Sequence, residues 1–346
     1  MAELAAIGCR STPCMNLTTT FIPLSLVTSA CLGLCPGSLW AYDWLPPTNK
    51  IAVLAVWAHQ DDEAIFGGGS LPYYSAVLRL PTMLLCMTGG SEPVRDNELR
   101  CAAWTYGLRY EPLFGHFMNI HSNLITNSPY GTNTINITWD YWAGVGFPGN
   151  GTNVEAGKTR AISFVAEQIR RYRPAVIITH DLDGETGHDN HKATAYAVTR
   201  AFLVAADPKA TAANLVGLPP WQAQKLYVHL YRTNRLFHEY WETPYPALTN
   251  RTPHQVANIG LACHLSQGPA RWICSSVYPP GGMYNLWPSE WWGLYASKVG
   301  LDTPLSRNVG VSGYTVPGGV AAGDFLQHLR FPKSAAQTSP AGPPRP

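Results

Sequence analysis

The sequence predicts an α/β fold: a doubly wound, mostly parallel Rossmann-like sheet with helices on both faces. Two observations support this prediction. Short continuous apolar segments recur along the chain, and segments with helical spacing of apolar residues separate them. A continuous apolar run is typical of a strand buried on both faces of a parallel sheet. Strands that alternate with helices indicate parallel strands joined by right-handed crossovers.

The apolar runs place strands along most of the chain. Strands are predicted at residues 51–57, 82–88, 175–179 and near 225–231. Helices are predicted at 70–80, around 96–108, and at 154–172, 192–206 and 253–264. Residues 114–151 are rich in Asn, Gly, Thr and aromatics, so we expect a long loop with little regular structure there.

Both ends of the chain differ in composition from its middle. Residues 21–40 form an apolar run interrupted by Pro23 and Pro36, so residues 1–41 are expected to be a signal peptide or a membrane anchor. Residues 334–346 are rich in Pro, Ala and Ser and are expected to be disordered. One large domain is predicted between them, over 42–333. A secreted or extracytoplasmic protein is expected, with a membrane-anchored one, including one in the endoplasmic reticulum, as the alternative.

The amino-acid composition limits the classes of molecule that this protein is expected to bind. The 24 basic and 22 acidic residues are dispersed, which leaves no basic surface for a nucleic-acid backbone. Most tryptophans in proteins are core residues, but the aromatic clusters at 139–142 and 287–292 favour a carbohydrate-binding surface. We therefore expect a small-molecule or glycoconjugate partner and no nucleic acid. Membrane association would run through residues 21–40, and the oligomeric state is left open.

Four cysteines follow the leader, and none has the spacing of a zinc finger. Cys263 and Cys274 could close a short loop as a disulfide, whereas Cys86 lies in a strand-like run and is expected to be a small buried apolar residue.

Polar clusters follow two of the predicted strands. Residues 58–63 read Ala-His-Gln-Asp-Asp-Glu, and residues 180–191 contain three histidines, three aspartates and one glutamate. In an open parallel sheet, ligands bind beyond the carboxyl ends of the strands, which is where both clusters fall. Acidic groups crowded into one turn need a counter-charge, and two histidines with one carboxylate are typical of catalytic zinc. Taken alone, a pair of aspartates more often lies in a solvated turn, and a single histidine is more often a buried structural residue than a metal ligand.

The chain resembles the PIG-L/LmbE-like family of N-acetylglucosaminyl deacetylases at four places. The family's Ala-His-Pro-Asp-Asp-Glu is matched by Ala-His-Gln-Asp-Asp-Glu at 58–63, and its Gly-His-x-x-His by Gly-His-Asp-Asn-His at 187–191. Arg-Asp-Asn-Glu at 95–98 is similar to its Arg-x-x-Glu, and Ala-Cys-His-Leu-Ser-Gln at 262–267 to its Ala-x-His-x-Ser-Gln. The resemblance assigns the family's domain to residues 42–333 and implies a zinc-dependent N-deacetylase.

The resemblance also implies residue roles. His59, Asp62 and His191 would hold one Zn²⁺ per chain, with another divalent metal as the alternative. Asp61 would be the general base that takes a proton from the attacking water. His188 would be either the donor to the oxyanion or the acid that protonates the leaving amine, a choice that the sequence leaves open.

Two residues are predicted to contact the substrate. Arg95 would contact oxygens of the sugar or of an attached phosphate, and Asn190 stands where bacterial relatives often carry Asp. Arg95 could equally form an ion pair with Glu98 on the helix surface, and His264 could simply cap or pack its helix.

Three functions are compatible with the sequence. The first is a zinc-dependent hydrolase that removes an acetyl group from an N-acetylglucosamine-type amino sugar or glycoconjugate. The second is a catalytically inactive carbohydrate-binding protein on the same fold, suggested by Gln60, Thr186 and the aromatic clusters. The third is a zinc amidohydrolase with a different amide substrate.

Overall fold

This computed structural model describes residues 43–46, 48–120, 134–145, 151–185, 187–237, 241, 243–268, 291–302, 321–322 and 325–329. All elements below lie in the unit Trp44–Pro346. Within the described residues the strands are β1 (Val53–Trp57), β2 (Thr82–Cys86), β3 (Leu113–Phe114), β4 (Val176–Thr179), β5 (Lys225–His229), β6 (Arg235–Phe237), β7 (Trp291–Ser297) and β8 (Ala321–Ala322). The helices are α1 (Asp62–Ile65), α2 (Ser70–Pro72), α3 (Pro93–Thr105), α4 (Thr134–Ala143), α5 (Val154–Tyr172), α6 (Asp189–Val204) and α7 (Pro253–Leu261).

The described strands form one sheet in the order β3-β2-β1-β4-β5-β7-β6-β8. Strands β3, β2, β1, β4 and β5 are parallel, which confirms the predicted α/β fold. From β1 the chain winds first toward β3 and then, through β4, toward the other edge. The reversal between β1 and β4 creates a crevice at their carboxyl ends, and this is where open α/β sheets bind ligands.

Helices cover both faces of the sheet, as predicted. Val53, Ala55 and Trp57 of β1 pack in one core with α3 and α7, whereas Leu54 and Val56 pack in a second core with α4, α5 and α6. Side chains alternate between the faces of a strand, so one continuous apolar strand contributes to two cores.

The predicted loop over 114–151 is wrong in part, because residues Thr134–Ala143 form α4. Trp139, Tyr141 and Trp142 are buried against neighbouring helices. The β-branched and aromatic residues of α4 have low intrinsic helix propensity, and tertiary packing overrides that preference.

Gly157 of α5 is the point of closest approach to α4. A Cβ atom built there would lie 1.9 Å from the carbonyl oxygen of Trp139. We expect Gly157→Ala to lower the free energy of unfolding by about 1–3 kcal/mol, because the helices must separate. Chemical denaturation measures this. Gly217→Ala is the control, since its φ of 79° is strained for alanine but nothing lies within 4 Å. Equal losses in the two variants would contradict a steric cause.

Other boundaries differ from the sequence prediction. The crossover predicted at 70–80 begins as α2 and continues as a π-helical turn over Tyr73–Val77. The antiparallel pairing of β7 with β5 and β6 was not predicted, because no strand was predicted at residues 291–297. None of the helices in the described residues combines the length and apolar character needed to cross a bilayer. The expected leader over 1–41 and the tail over 334–346 lie outside the described residues.

Candidate active site

The two polar clusters meet at the crevice between β1 and β4. The backbone N–H of His59 donates to Asp62 Oδ2 at 2.7 Å, which fixes the turn after β1. The turn after β4 ends at α6, whose first turn holds Asn190 and His191. His188 caps this helix, its Nδ1 accepting from the backbone N–H of Asn190 at 3.2 Å. Neighbouring parallel strands thus bring residues about 130 positions apart into contact.

The three predicted metal ligands converge. Nδ1 of His59 lies 3.1 Å from Nε2 of His191 and 3.2 Å from Oδ2 of Asp62. Nε2 of His191 lies 3.4 Å from Oδ1 of Asp62. A tetrahedral zinc ion with bonds of about 2.0–2.1 Å separates its ligand atoms by roughly 3.4 Å. Two imidazoles and a carboxylate at these separations fit a divalent metal, so these residues form a candidate His/Asp metal site.

The charges at this site also suit a cation. Burial is the main influence on His59 and lowers its pKa to about 4, which leaves the imidazole neutral with a lone pair available. Burial alone would raise the pKa of Asp62, but the neighbouring histidines, with His191 first, outweigh it and hold the pKa well below its usual range. Burial would lower the pKa of His191, but Asp62 and Glu185 raise it to about 10. A metal would replace that proton.

His180 lies close to the same carboxylate but is held differently. Its Nε2 is 3.2 Å from Oδ2 of Asp62, so Asp62, His180 and His191 form a second cluster with ligand-like spacing. The same nitrogen accepts a hydrogen bond from the backbone N–H of Ala58 at 2.9 Å. Its lone pair is therefore engaged, which favours His59 over His180 as the second imidazole at the metal position.

Asp61 and Arg95 lie beside the three ligands. Nη2 of Arg95 is 3.7 Å from Oδ1 of Asp61, and Nη1 is 3.6 Å from Oε2 of Glu92. Arg95 thus pairs with these two carboxylates and not with Glu98, the partner considered from the sequence. Burial, reinforced by the charge of Asp62, raises the pKa of Asp61 to about 7, although Arg95 opposes this. A carboxylate with a pKa near neutrality suits a general base.

His188 is half-buried at the edge of the cluster. Burial, with the nearby His59 as the next cause, lowers its pKa to about 3, so the ring is neutral. Because Nδ1 accepts from Asn190, the proton of the neutral ring sits on Nε2. This arrangement gives His188 one N–H donor and no positive charge.

Asn190 is fully buried, and its amide faces a predicted ligand. Its Nδ2 lies 3.0 Å from Nε2 of His59 and donates to Oδ1 of Asn119 at 3.1 Å. The structure therefore places Asn190 behind the metal position, and its contact with substrate stays a prediction.

The departure from the family at Gln60 strengthens the site's framework. Its fully buried side chain donates to Oδ1 of Asp96 at 2.8 Å, and the same oxygen accepts the backbone N–H of Gly90 at 2.9 Å. Gln60 thus links the turn after β1 to the loop after β2. Thr186, the other departure, lies outside the described residues.

The other two segments that resemble the family, 95–98 and 262–267, contact each other beside the site. The carboxylate of Glu98 accepts from the backbone N–H and the hydroxyl of Ser266 at 2.7 and 2.6 Å. Nε2 of His264 lies 2.8 Å from Oε1 of the buried Glu63. His264 therefore braces the carboxylate that follows the predicted ligands, rather than simply capping its helix.

The disulfide prediction is wrong. Cys263 pairs with Cys101 on α3, while Cys274 lies outside the described residues. No local pattern indicated this pairing, because it spans 162 positions and depends on how α3 packs against the end of α7. Cys86 is a free buried cysteine, as predicted.

Removing this disulfide is expected to destabilise the fold. The bond closes a long loop, so Cys101→Ser combined with Cys263→Ser should lower the free energy of unfolding by about 2–4 kcal/mol. Denaturant titration with and without reductant measures this. Reductant should lower the stability of the wild-type chain to that of the double variant and leave the variant unchanged. Equal wild-type stability in both conditions would contradict a stabilising bond.

Three residues near the metal position, Glu185, His180 and His229, were assigned no role from the sequence. Glu185 is fully buried between His180, His191 and His229, which it contacts at 2.7, 3.1 and 2.8 Å. A usable signal was present, because His180 and His229 each stand at the carboxyl end of a predicted strand, on the edge that binds ligands.

The sequence is similar to one family model and to several known proteins. The PIG-L family model, described as GlcNAc-PI de-N-acetylase, matches residues 54–202. A 1D-myo-inositol 2-acetamido-2-deoxy-alpha-D-glucopyranoside deacetylase of Thermobifida fusca is 28% identical over 198 residues, covering 52% of this chain and 62% of that protein. A probable N-acetylglucosaminyl-phosphatidylinositol de-N-acetylase of Schizosaccharomyces pombe is 26% identical over 144 residues, covering 40% and 47%. The chain spans about three fifths of the bacterial relatives' length.

Solved structures are more distant. N,N'-diacetylchitobiose deacetylase from Pyrococcus horikoshii matches with a TM-score of 0.40 and 14% identity, covering 72% of this chain and 82% of that chain. A conserved protein from Thermus thermophilus matches with a TM-score of 0.42 and 18% identity, covering 74% and 99%. Residues 54–202, on which the site is built, are thus similar to the PIG-L family.

Proposed function

We propose that this protein is a zinc-dependent N-deacetylase that removes the acetyl group from an N-acetylglucosamine-type amino sugar or glycoconjugate. The observation that carries the proposal is the convergence of His59, Asp62 and His191 at 3.1–3.4 Å beside a buried Asp61. The names of the matched relatives, which are deacetylases of acetamido sugars, support the substrate class.

The proposed chemistry divides between the metal and the chain. His59, Asp62 and His191 would hold a zinc ion, which would supply Lewis acidity and lower the pKa of water. Asp61 takes a proton as water attacks the amide carbon, and its pKa near 7 lets it accept that proton at neutral pH. The same carboxyl then returns the proton to the leaving amine.

We assign His188 the role of hydrogen-bond donor to the oxyanion. Its neutral ring presents Nε2–H, and a fixed donor aimed at developing negative charge stabilises the transition state without carrying charge itself. Arg95, which faces Asp61 and Glu92, is assigned to substrate oxygens.

We also propose an extracytoplasmic location. The disulfide between Cys101 and Cys263 supports it, because disulfides persist in oxidising compartments. Secretion or anchoring through residues 1–41 stays a prediction.

Acetate release by the purified, zinc-loaded chain tests the function. N-acetylglucosamine, N,N'-diacetylchitobiose and an N-acetylglucosaminyl-inositol conjugate are the substrates, and free amine is measured in parallel. We expect equal amounts of acetate and amine from at least one of them. Sugar binding without acetate would favour the inactive carbohydrate-binding protein, and hydrolysis only of amides without a sugar would favour the other amidohydrolase.

A further inference from the structure

Glu185 accepts hydrogen bonds from two histidines and one backbone N–H, and a third histidine, His191, faces the same carboxylate. Oε2 lies 2.7 Å from Nδ1 of His180 and 3.1 Å from Nδ1 of His191. Oε1 lies 2.8 Å from Nδ1 of His229 and accepts the backbone N–H of Asp181 at 3.0 Å. The carboxylate and the rings of His180 and His229 are fully shielded from solvent. Its surroundings leave no opening for substrate, so its role must be exerted through the histidines.

The chemistry of a carboxylate fixes where protons sit on these rings. An ionised carboxylate only accepts hydrogen bonds, and the Nδ1 atoms of three histidines lie within 3.1 Å of Glu185. Each Nδ1 that faces it must therefore carry the proton. The lone pair of a neutral ring is then left on Nε2, and in His191 this is the atom that faces His59 and Asp62.

The two histidines of the metal position use different nitrogens. His59 faces it with Nδ1 and His191 with Nε2. Packing alone does not choose between the two tautomers of a ring, so each needs its own hydrogen-bond partner on the far nitrogen. Glu185 stands at the far nitrogen of His191 and can accept its N–H, whereas the neighbour at the far nitrogen of His59 is the amide nitrogen of Asn190, which donates.

We infer that Glu185 is a positioning residue for the metal centre: it holds the proton of His191 on Nδ1 and aims Nε2 at the metal position. This inference rests on the metal site of the proposed function. His180 and His229 fix the carboxylate from the ends of β4 and β5, so Glu185 also joins these strands to the first turn of α6. Carboxylate, histidine and metal then form one chain, an arrangement that raises the basicity of the ligand.

Zinc affinity of Glu185→Gln tests the inference without using catalysis. Glutamine keeps the shape but replaces one accepting oxygen with a donor, which cannot receive Nδ1–H. We expect the affinity for zinc ion, measured by competition with a chelator, to fall by about 10–100-fold. Asp302→Asn is the matched control: Asp302 is a buried carboxylate paired with Lys225, the first residue of β5 and therefore at the opposite end of that strand from His229. It should lower thermal stability and leave zinc affinity unchanged.

A spectroscopic measurement on the wild-type chain decides the matter even if Glu185→Gln does not fold. Nitrogen-15 spectra of labelled histidines in the zinc-loaded protein should show the His191 proton on Nδ1. A proton on Nε2, or a folded Glu185→Gln with zinc affinity within about threefold of wild type, would overturn the inference. A chain that binds zinc and releases no acetate contradicts the proposed function alone, and weaker zinc binding by Glu185→Gln would still support the role of Glu185.

Discussion

Asp61→Asn is expected to lower the rate of acetate release by about 10²–10⁴-fold while zinc stays bound. The amide keeps the size of the side chain and its place beside Arg95, but it cannot accept a proton from water. Steady-state kinetics with metal analysis of the same sample measures both quantities. The loss should appear in kcat, because the proton is transferred during the chemical step.

The control for this prediction is Asp183→Asn. Asp183 is exposed in the turn after β4, and its amide variant should keep wild-type activity and zinc content. An Asp61→Asn variant with wild-type kcat would remove Asp61 from the mechanism. If zinc were lost together with activity, Asp61 would instead be part of the metal site.

His191→Ala is expected to abolish both metal binding and activity. It removes one of three converging ligands and leaves the buried carboxylates of Asp62 and Glu185 without the imidazole between them. The fall in zinc affinity should exceed the roughly 100-fold typical of residues that only orient a ligand. Equilibrium competition with a chelator measures it.

His254→Ala on α7 is the matched histidine control and should bind zinc as the wild type does. The two alanine variants together separate loss of a ligand from general loss of structure. A folded His191→Ala that retains stoichiometric zinc would show that the ion lies elsewhere.

Most of the framework of the site could be predicted from the sequence because it depends on local patterns. Continuous apolar runs indicated β1, β2, β4 and β5, and the polar residues that follow β1 and β4 had to fall on the same edge of a parallel sheet. This geometry brings His59, Asp62 and His191 together, although 129 positions separate Asp62 from His191 in the numbering.

The remaining features depend on contacts that the sequence does not order. Helix α4 exists because its aromatic side chains are buried, against their own propensity. The partner of Cys263 is set by the packing of α3 against the end of α7. Glu185 had no recognisable spacing, since its three histidines come from the ends of β4 and β5 and from α6.

We expect deacetylation to depend on one metal ion bound by His59, Asp62 and His191. The most direct measurement is acetate release before chelation, after chelation, and during stepwise return of zinc, with bound metal counted at each step. We expect activity to disappear on chelation and to return in proportion to bound zinc, up to one ion per chain. Full acetate release from a chain shown to be free of metal would contradict it.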